Sequence, residues 1–106
     1  MKNKNCVWPS GDEKPVCRLI YDHTAWAKKT GLFFESGTDD LDEYFGSFII
    51  DEEIGPLKFL EYLNAPAPGV VVYVDSLIET SRSVRAIKNR FNILDADIDW
   101  IREIEG

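Results

Sequence analysis

The residue types that support covalent or acid–base catalysis are few in this chain. His23 is the only histidine, and it directly follows Asp22. A catalytic histidine must lie within hydrogen-bonding reach of a nucleophile, and no spacing in the sequence brings one to His23. Asp75 ends an apolar run, as metal-binding aspartates of nucleotide enzymes do, but no glycine-rich phosphate loop accompanies it. A small-molecule enzyme using Asp22, His23 or Asp75 is therefore an alternative hypothesis and not the first one.

One segment near the end of the sequence has the beginning of a metal-binding pattern. Asp95, Asp97 and Asp99 alternate as in the first half of a calcium loop. Trp100 stands where that loop needs its turn glycine, and Gly106 stands where it needs a bidentate glutamate. A helix start with acidic residues in its first turn explains the segment better. We predict no metal site and no cofactor.

The densest group of chemically active side chains is acidic. Residues 35–53 carry eight carboxylates and no Lys or Arg, with Phe45 and Phe48 among them. Like charges this close repel one another, so the group is easiest to explain if a basic surface lies opposite. Solubility alone is the competing explanation. The predicted partner-binding residues are Asp39, Asp40, Asp42, Glu43, Tyr44, Asp51, Glu52 and Glu53.

Length and charge limit the classes of partner. The chain has 106 residues, 44% of them hydrophobic, and its net charge is −7. This predicts one domain over residues 1–106 with a single core. Residues 31–63 hold one Lys and nine carboxylates, so the negative charge is concentrated there. Nucleic acids and anionic membranes require a basic patch, so we predict a basic protein partner and neither of those.

The cysteines and the N-terminus predict a cytoplasmic location. Cys6 and Cys17 are too few for a disulfide scaffold, although the sequence leaves a bridge between them open. We interpret them as reduced thiols. The basic start at residues 1–5 is not followed by the apolar segment of a secretory signal, because Pro9 interrupts it. No apolar run approaches the roughly 20 residues of a membrane helix.

The N-terminal third predicts a β-hairpin and a short helix. Residues 5–8 and 15–21 are the strand candidates, joined by a turn-rich connection. Asp22 fits the N-cap of a helix with Lys28 and Lys29 in its last turn, and Gly31 fits its left-handed stop.

The acidic block predicts a helix, because four apolar residues follow the 3-1-3 spacing of one helical face: Leu41, Tyr44, Phe45 and Phe48. A strand over residues 47–50 is the competing interpretation, since Gly46 favours a break. Pro56 predicts the start of another helix over residues 56–64. Residues 70–74 are an unbroken run, mostly β-branched, and predict a central strand.

Two further helices are predicted in the C-terminal third. One spans residues 77–91, after a capping box at 76–79. The other begins at Asp95 or Asp97 and carries Ile98, Trp100, Ile101 and Ile104. The fold class is α/β or α+β: a single compact domain with a small mixed sheet, built from the N-terminal hairpin and the central strand 70–74, packed with three to five helices. A right-handed βαβ unit would join residues 47–50, 56–64 and 70–74.

The first functional hypothesis is a small acidic inhibitor. A bacterial immunity protein or antitoxin blocks a toxin domain, and a toxin that acts on nucleic acid needs a cationic site for phosphates. An acidic surface can occupy that site and associate with it rapidly. The first alternative is a regulatory or structural subunit of a larger assembly, which an exposed patch of Trp8, Trp26 or Trp100 would favour.

Overall fold

The computed structural model describes residues 8–40 and 42–103. In this part of the chain the regular elements are β1 (Glu13–Leu19), α1 (His23–Thr30), β2 (Glu35–Thr38), β3 (Glu43–Asp51), β4 (Gly55–Tyr62), β5 (Val71–Asp75), α2 (Thr80–Phe91) and β6 (Ile98–Ile101). The strands form one sheet in the order β2-β3-β4-β5-β1-β6, and every neighbouring pair is antiparallel. The molecule is therefore a compact α+β domain.

Both helices pack on the same face of the sheet. Trp26 of α1 and Phe91 of α2 contact Phe59 of β4, with ring centroids 5.9 and 5.6 Å apart. Trp26 and Phe91 also contact each other edge to face at 5.1 Å. Trp26 and Phe59 are fully buried, so this aromatic cluster forms the centre of the core.

Helix α1 has the predicted ends. The Asp22 carboxylate accepts a hydrogen bond from the Ala25 amide at 2.8 Å, and Gly31 ends the helix in the left-handed region with φ 78°. The helix predicted over residues 77–91 is also present, but it begins at Thr80 and not at residue 77. Residues 76 and 77 lie in a turn, so the predicted capping box does not start the helix.

The central strand is confirmed, but its partners differ from the prediction. β5 lies between β4 and β1 and is antiparallel to both. The sheet is antiparallel and not mixed, and no βαβ unit joins β3 to β5. β3 and β4 instead form a hairpin, in which Asp51 pairs with Gly55.

The predicted helices in the acidic block and over residues 56–64 are wrong, because Glu43–Asp51 form β3 and Gly55–Tyr62 form β4. The competing strand over residues 47–50 is confirmed as part of β3, and Leu41 lies outside the described residues. The last predicted helix is also wrong: Asp95–Asp97 form a 3-10 turn and Ile98–Ile101 form β6. The described part of the chain therefore has two α-helices and not three to five. The predicted strand at 5–8 lies outside the described residues except for Trp8, which is not in a strand.

We call the sheet surface opposite the two helices the outer face. Side chains alternate along a strand, so the even-numbered residues of β3 and β4 point away from the face that holds Phe59. Pairing across the sheet places Phe48, Lys58 and Tyr73 in one row of the outer face. Among the described residues no helix covers this face.

Candidate protein-binding site

The eight predicted binding residues do not form one surface. Asp39, Asp40, Asp42 and Glu43 lie at the β2–β3 connection, which we call the acidic hairpin. Asp51, Glu52 and Glu53 lie at the β3–β4 connection, which we call the acidic turn. β3 separates the two, and its nine residues span about 27 Å at the usual rise of an extended strand.

Two carboxylates of the acidic hairpin are held by neutral groups on β4 and the loop after it. Asp39 accepts a 2.6 Å hydrogen bond from the Tyr62 hydroxyl and a 3.2 Å bond from the Asp42 amide. Asp42 accepts hydrogen bonds from the Asn64 amide and side chain at 2.9 and 3.1 Å. The hairpin is thereby fixed to the end of β4.

This hydrogen bonding favours the ionised form of the hairpin. Amide donors from Glu43 and Asn64 lower the pKa of Asp42 below its usual range. Burial, with the hydrogen bond to the Asp39 carboxylate and its charge, raises the pKa of Tyr62. The side chains of Asp40 and Glu43 are exposed and pair with no cation among the described residues. They are therefore the carboxylates of the hairpin that can meet a partner without breaking an internal bond.

A shallow depression adjoins the acidic hairpin. Its volume is about 390 Å³, and it is lined by Asp42, Tyr62, Asn64, Ala65 and Pro66. The surface beside the exposed carboxylates is thus concave and partly aromatic.

The acidic turn is built differently, because cations of α2 balance it. The Asp51 carboxylate is only 7% exposed and accepts hydrogen bonds from Arg90 Nη1 at 2.8 Å and from the amides of Glu53 and Ile54. Burial alone would raise its pKa, but these hydrogen bonds outweigh burial and lower it. Arg82 donates to the Glu53 carbonyl and lies 3.9 Å from the Glu53 carboxylate. The Asp51 carboxylate therefore stabilises the fold and is not available to a partner.

Tyr44, the predicted aromatic anchor, lies flat on the outer face. A Cβ added to Gly37 would stand 2.6 Å from the Cζ and the hydroxyl of Tyr44, so the ring occupies the space left by that glycine. Tyr62 meets Tyr44 edge to face, with centroids 6.1 Å apart. Tyr44 is half-buried and presents an edge and part of a ring to a partner, not a projecting side chain.

The centre of the outer face holds a group that the sequence did not reveal. Lys58 Nζ lies 2.7 and 2.9 Å from the two carboxylate oxygens of Glu13 and 4.7 Å above the ring of Tyr73. The Trp8 indole donates a 3.0 Å hydrogen bond to Glu13. The aromatic and β-branched residues of 43–51 were the signal that could have revealed β3, whereas residues 55–62 carry little such signal.

His23 pairs with Glu61 and not with Asp22. Its Nδ1 lies 2.8 Å from Glu61 Oε1, which also accepts the His23 backbone N–H, while Glu61 Oε2 accepts the Gly69 N–H. Burial would raise the pKa of Glu61, but these donors lower it. The imidazole stacks on Phe45 at 4.0 Å. The pair thus ties α1 and the loop before β5 to β3 and β4.

The residues of the enzyme hypothesis do not converge. Asp22 caps α1, whereas Asp75 accepts the Ser10 and Leu77 amides at the opposite end of β5 from Gly69. Thr24 Oγ1 is 3.5 Å from His23 Nε2, at the limit of a hydrogen bond. Cys17 is a buried free thiol whose pKa burial raises to about 12, so it is a poor nucleophile. Cys6 lies outside the described residues.

The three tryptophans do not form one patch. Trp26 is fully buried, and Trp8 is half-buried on the outer face. Trp100 of β6 is 41% exposed and lies opposite Arg18 on that face. Only Trp8 and Trp100 are therefore placed to contact a partner.

In residues 8–40 and 42–103, no three His, Cys, Asp or Glu side chains are grouped so that they could hold a metal ion. No helix in the same part of the chain is both long and apolar enough to cross a membrane. Comparison with models of protein families, with curated proteins and with solved structures found no match.

Proposed function

We propose that this protein is a binding module that neutralises a basic protein, as an immunity protein or antitoxin neutralises a toxin domain. The observation that carries the proposal is the acidic hairpin. Asp40 and Glu43 are exposed there beside Asp39 and Asp42, which are fixed by Tyr62 and Asn64. The bonds of Asp39 and Asp42 fix the hairpin backbone that carries Asp40 and Glu43, so little backbone entropy is lost when a cation binds there.

The chemistry of the partner follows from the charge. A toxin that cleaves or modifies nucleic acid must present cationic side chains to phosphates. A rigid acidic surface competes for the same side chains and accelerates encounter by electrostatic steering. Such an inhibitor acts in the cytoplasm, on a toxin that has reached or was made in the same compartment, and needs no catalysis of its own.

The first experiment uses the product of the gene directly upstream of this one. The proposal expects a basic protein that binds this chain and loses its activity on nucleic acid when bound. The association rate should fall several-fold between low and physiological salt, because exposed charges are screened beyond about 8–10 Å. An upstream product that is acidic, or that does not bind, contradicts the proposal.

A matched pair of variants then locates the contact. Asp40→Asn with Glu43→Gln removes two charges from the acidic hairpin, and Glu52→Gln with Glu53→Gln removes two from the acidic turn. The hairpin variant should weaken binding of the upstream product by about 1–2 kcal/mol. The turn variant should bind within about twofold of the wild type, because α2 already balances that end. Equal losses of affinity in the two variants would show that binding depends only on the net charge of the protein.

The enzyme alternative is tested with His23→Ala. Neutralisation needs no proton carrier, so this variant should still inhibit the upstream product once its folding has been verified. If His23→Ala abolished function while the hairpin variant had no effect, the binding proposal would give way to catalysis.

A further inference from the structure

The outer face of the sheet is apolar where a water-facing sheet is ordinarily polar. When helices cover one face of an antiparallel sheet, the other face usually carries polar side chains. In this protein the outer-face positions of β3, β4 and β5 include Tyr44, Phe48, Ile50, Leu60, Tyr62 and Tyr73. Two charged residues also occupy outer-face positions of these strands: Lys58 is paired with Glu13, and Asp75 accepts the Ser10 and Leu77 amides.

Part of this apolar surface is open to solvent. Ile50 is 62% exposed and Trp100 is 41% exposed, and both lie on the outer face. Tyr44, Phe48 and Tyr73 are half-buried. Aromatic rings inside a surface with charges at its border are the usual composition of a protein interface, and here the rings flank the internally paired Lys58 and Glu13.

The border of this face is acidic. The Tyr62 hydroxyl, on the outer face, donates to Asp39 of the acidic hairpin, so the hairpin and the aromatic surface are continuous. Asp40 follows Asp39 and is exposed, so it extends the same border, whereas Glu43 is at an odd-numbered, helix-facing position of β3. A partner that covers the face must therefore bring cations to this edge.

We propose that the outer face, with the acidic hairpin at its border, receives the basic partner, and that the partner presents an apolar centre edged by Lys or Arg. This inference rests on the proposed function and specifies its contact surface. A second copy of this chain is a poor occupant, because it would bring the same acidic border and another net charge of −7.

The dimensions of the face suit one protein partner. Six strands spaced about 4.8 Å apart give a width of about 24 Å, and β3 gives a length of about 27 Å. The projected area is thus at most about 650 Å², because β2, β5 and β6 are shorter than β3, and side-chain relief adds to it. A standard interface buries about 800 Å² on each partner.

The face also accommodates a cation. Lys58 Nζ stands 4.7 Å over the centroid of Tyr73, within the range of a cation–π contact. A guanidinium group of the partner can lie on the ring of Tyr44 or Tyr62 in the same manner, next to the carboxylates of the hairpin. Arg suits this position better than Lys, because its planar guanidinium group can stack on a ring and donate hydrogen bonds to a carboxylate at the same time.

The test titrates the full ¹⁵N-labelled chain with three synthetic octapeptides and follows its amide resonances by NMR. One peptide alternates arginine with leucine, one alternates arginine with serine, and one alternates glutamate with leucine. The arginine–leucine peptide should shift resonances of the acidic hairpin and of the outer-face residues of β3, β4 and β5. The arginine–serine peptide should shift the hairpin alone, and the glutamate–leucine peptide should shift neither.

Two substitutions of exposed residues sharpen the test. Ile50→Lys places a positive charge on the outer face and should lower the affinity for the arginine–leucine peptide about fivefold or more. Leu94→Lys changes a residue of similar exposure, 69%, in the connection after α2, and should leave binding within about twofold. Neither residue lies in the core, so both variants should fold.

The remaining outcomes are distinguishable. If the arginine–leucine peptide shifts only the hairpin, or if the two Lys variants behave alike, the outer face is not the contact surface but the proposed function stands. If no arginine peptide shifts the hairpin, the proposed function fails. Equal binding of the glutamate–leucine peptide would overturn the inference and favour a subunit that assembles through apolar surface. Self-association in sedimentation equilibrium that Ile50→Lys abolishes would assign the face to a second copy and overturn it too.

Discussion

The two ends of β3 carry similar groups of carboxylates in different surroundings. At the acidic hairpin, Asp39 and Asp42 are bonded to the Tyr62 hydroxyl and to Asn64, which are neutral. At the acidic turn, Asp51 is bonded to Arg90, and Glu53 lies near Arg82. The helix that packs over one end of the strand supplies the cations, whereas Asp40 and Glu43 at the other end pair with no cation among the described residues. The charge that a surface presents is therefore decided by packing and not by counting acids along the chain.

The largest expected effect is on stability at the acidic turn. Asp51→Ala removes three hydrogen bonds to a buried carboxylate and leaves Arg90 unpaired, so it should lower the free energy of unfolding by about 2–3 kcal/mol. Urea unfolding measures this. Glu52→Ala is the control, because Glu52 is exposed, and it should change stability by less than about 0.5 kcal/mol. Equal stability of the two variants would show that the hydrogen bonds of Asp51 do not stabilise the fold.

The next effect is the pH dependence of stability, to which both ends contribute. The folded-state pKa values of Asp42, Asp51 and Glu61 lie below their ordinary values. The stabilisation they give is complete above the unfolded pKa, near pH 4, and is lost as the pH falls through the lower folded values. The melting temperature should therefore fall steadily as the pH is lowered below about 4.

The contribution of one end can be isolated from that profile. Asp51→Asn should melt lower at pH 7 and show a shallower acid decline than the wild type, because one of the shifted carboxyl groups is gone. A wild-type melting temperature that stays constant from pH 5 to pH 2 would contradict the stated pKa directions.

A smaller effect is expected from the equivalent change at the acidic hairpin. Asp42→Ala removes the bonds to Asn64, but these groups are exposed and water can replace them. The loss of unfolding free energy should be less than half that of Asp51→Ala, measured in the same urea series. A loss as large as that of Asp51→Ala would mean that the hairpin is as much a part of the fold as the turn.

Some local signals were read correctly from the sequence, whereas the capping box at residues 76–79 and Pro56 as a helix start were not. The Asp22 cap and the Gly31 stop define α1, and the apolar run at 70–74 predicts β5 within one residue. Their physical causes, a side-chain hydrogen bond to a helix amide and a buried β-branched run, need no knowledge of distant residues. The sequence left α/β and α+β open; the structure shows α+β, with an antiparallel sheet instead of the predicted mixed one.

The hairpin strands were misread for a reason that concerns the proposed site. In β3, Phe45 and Ile49 face the helices while Tyr44 and Phe48 face outward, so apolar residues occupy both faces. The alternation that marks a strand was thereby hidden, and the remaining spacing matched a helix. An outer face with polar residues would have made the strand evident. Local rules tend to fail at functional surfaces, and this failure coincides with the proposed contact face.

The smallest expected effect is the difference in unfolding free energy between the two double variants. Asp40→Asn with Glu43→Gln removes like charges from a crowded hairpin and should raise the free energy of unfolding by up to about 0.5 kcal/mol. Glu52→Gln with Glu53→Gln should lower it by about 0.3 kcal/mol, because Arg82 loses an exposed partner 3.9 Å away. Urea unfolding at low salt measures both changes, and at about 1 M salt the difference should nearly vanish because the charges are screened. Changes of the same sign, or a difference that persists at high salt, would mean that α2 does not balance the turn as the contacts of Arg82 and Arg90 indicate.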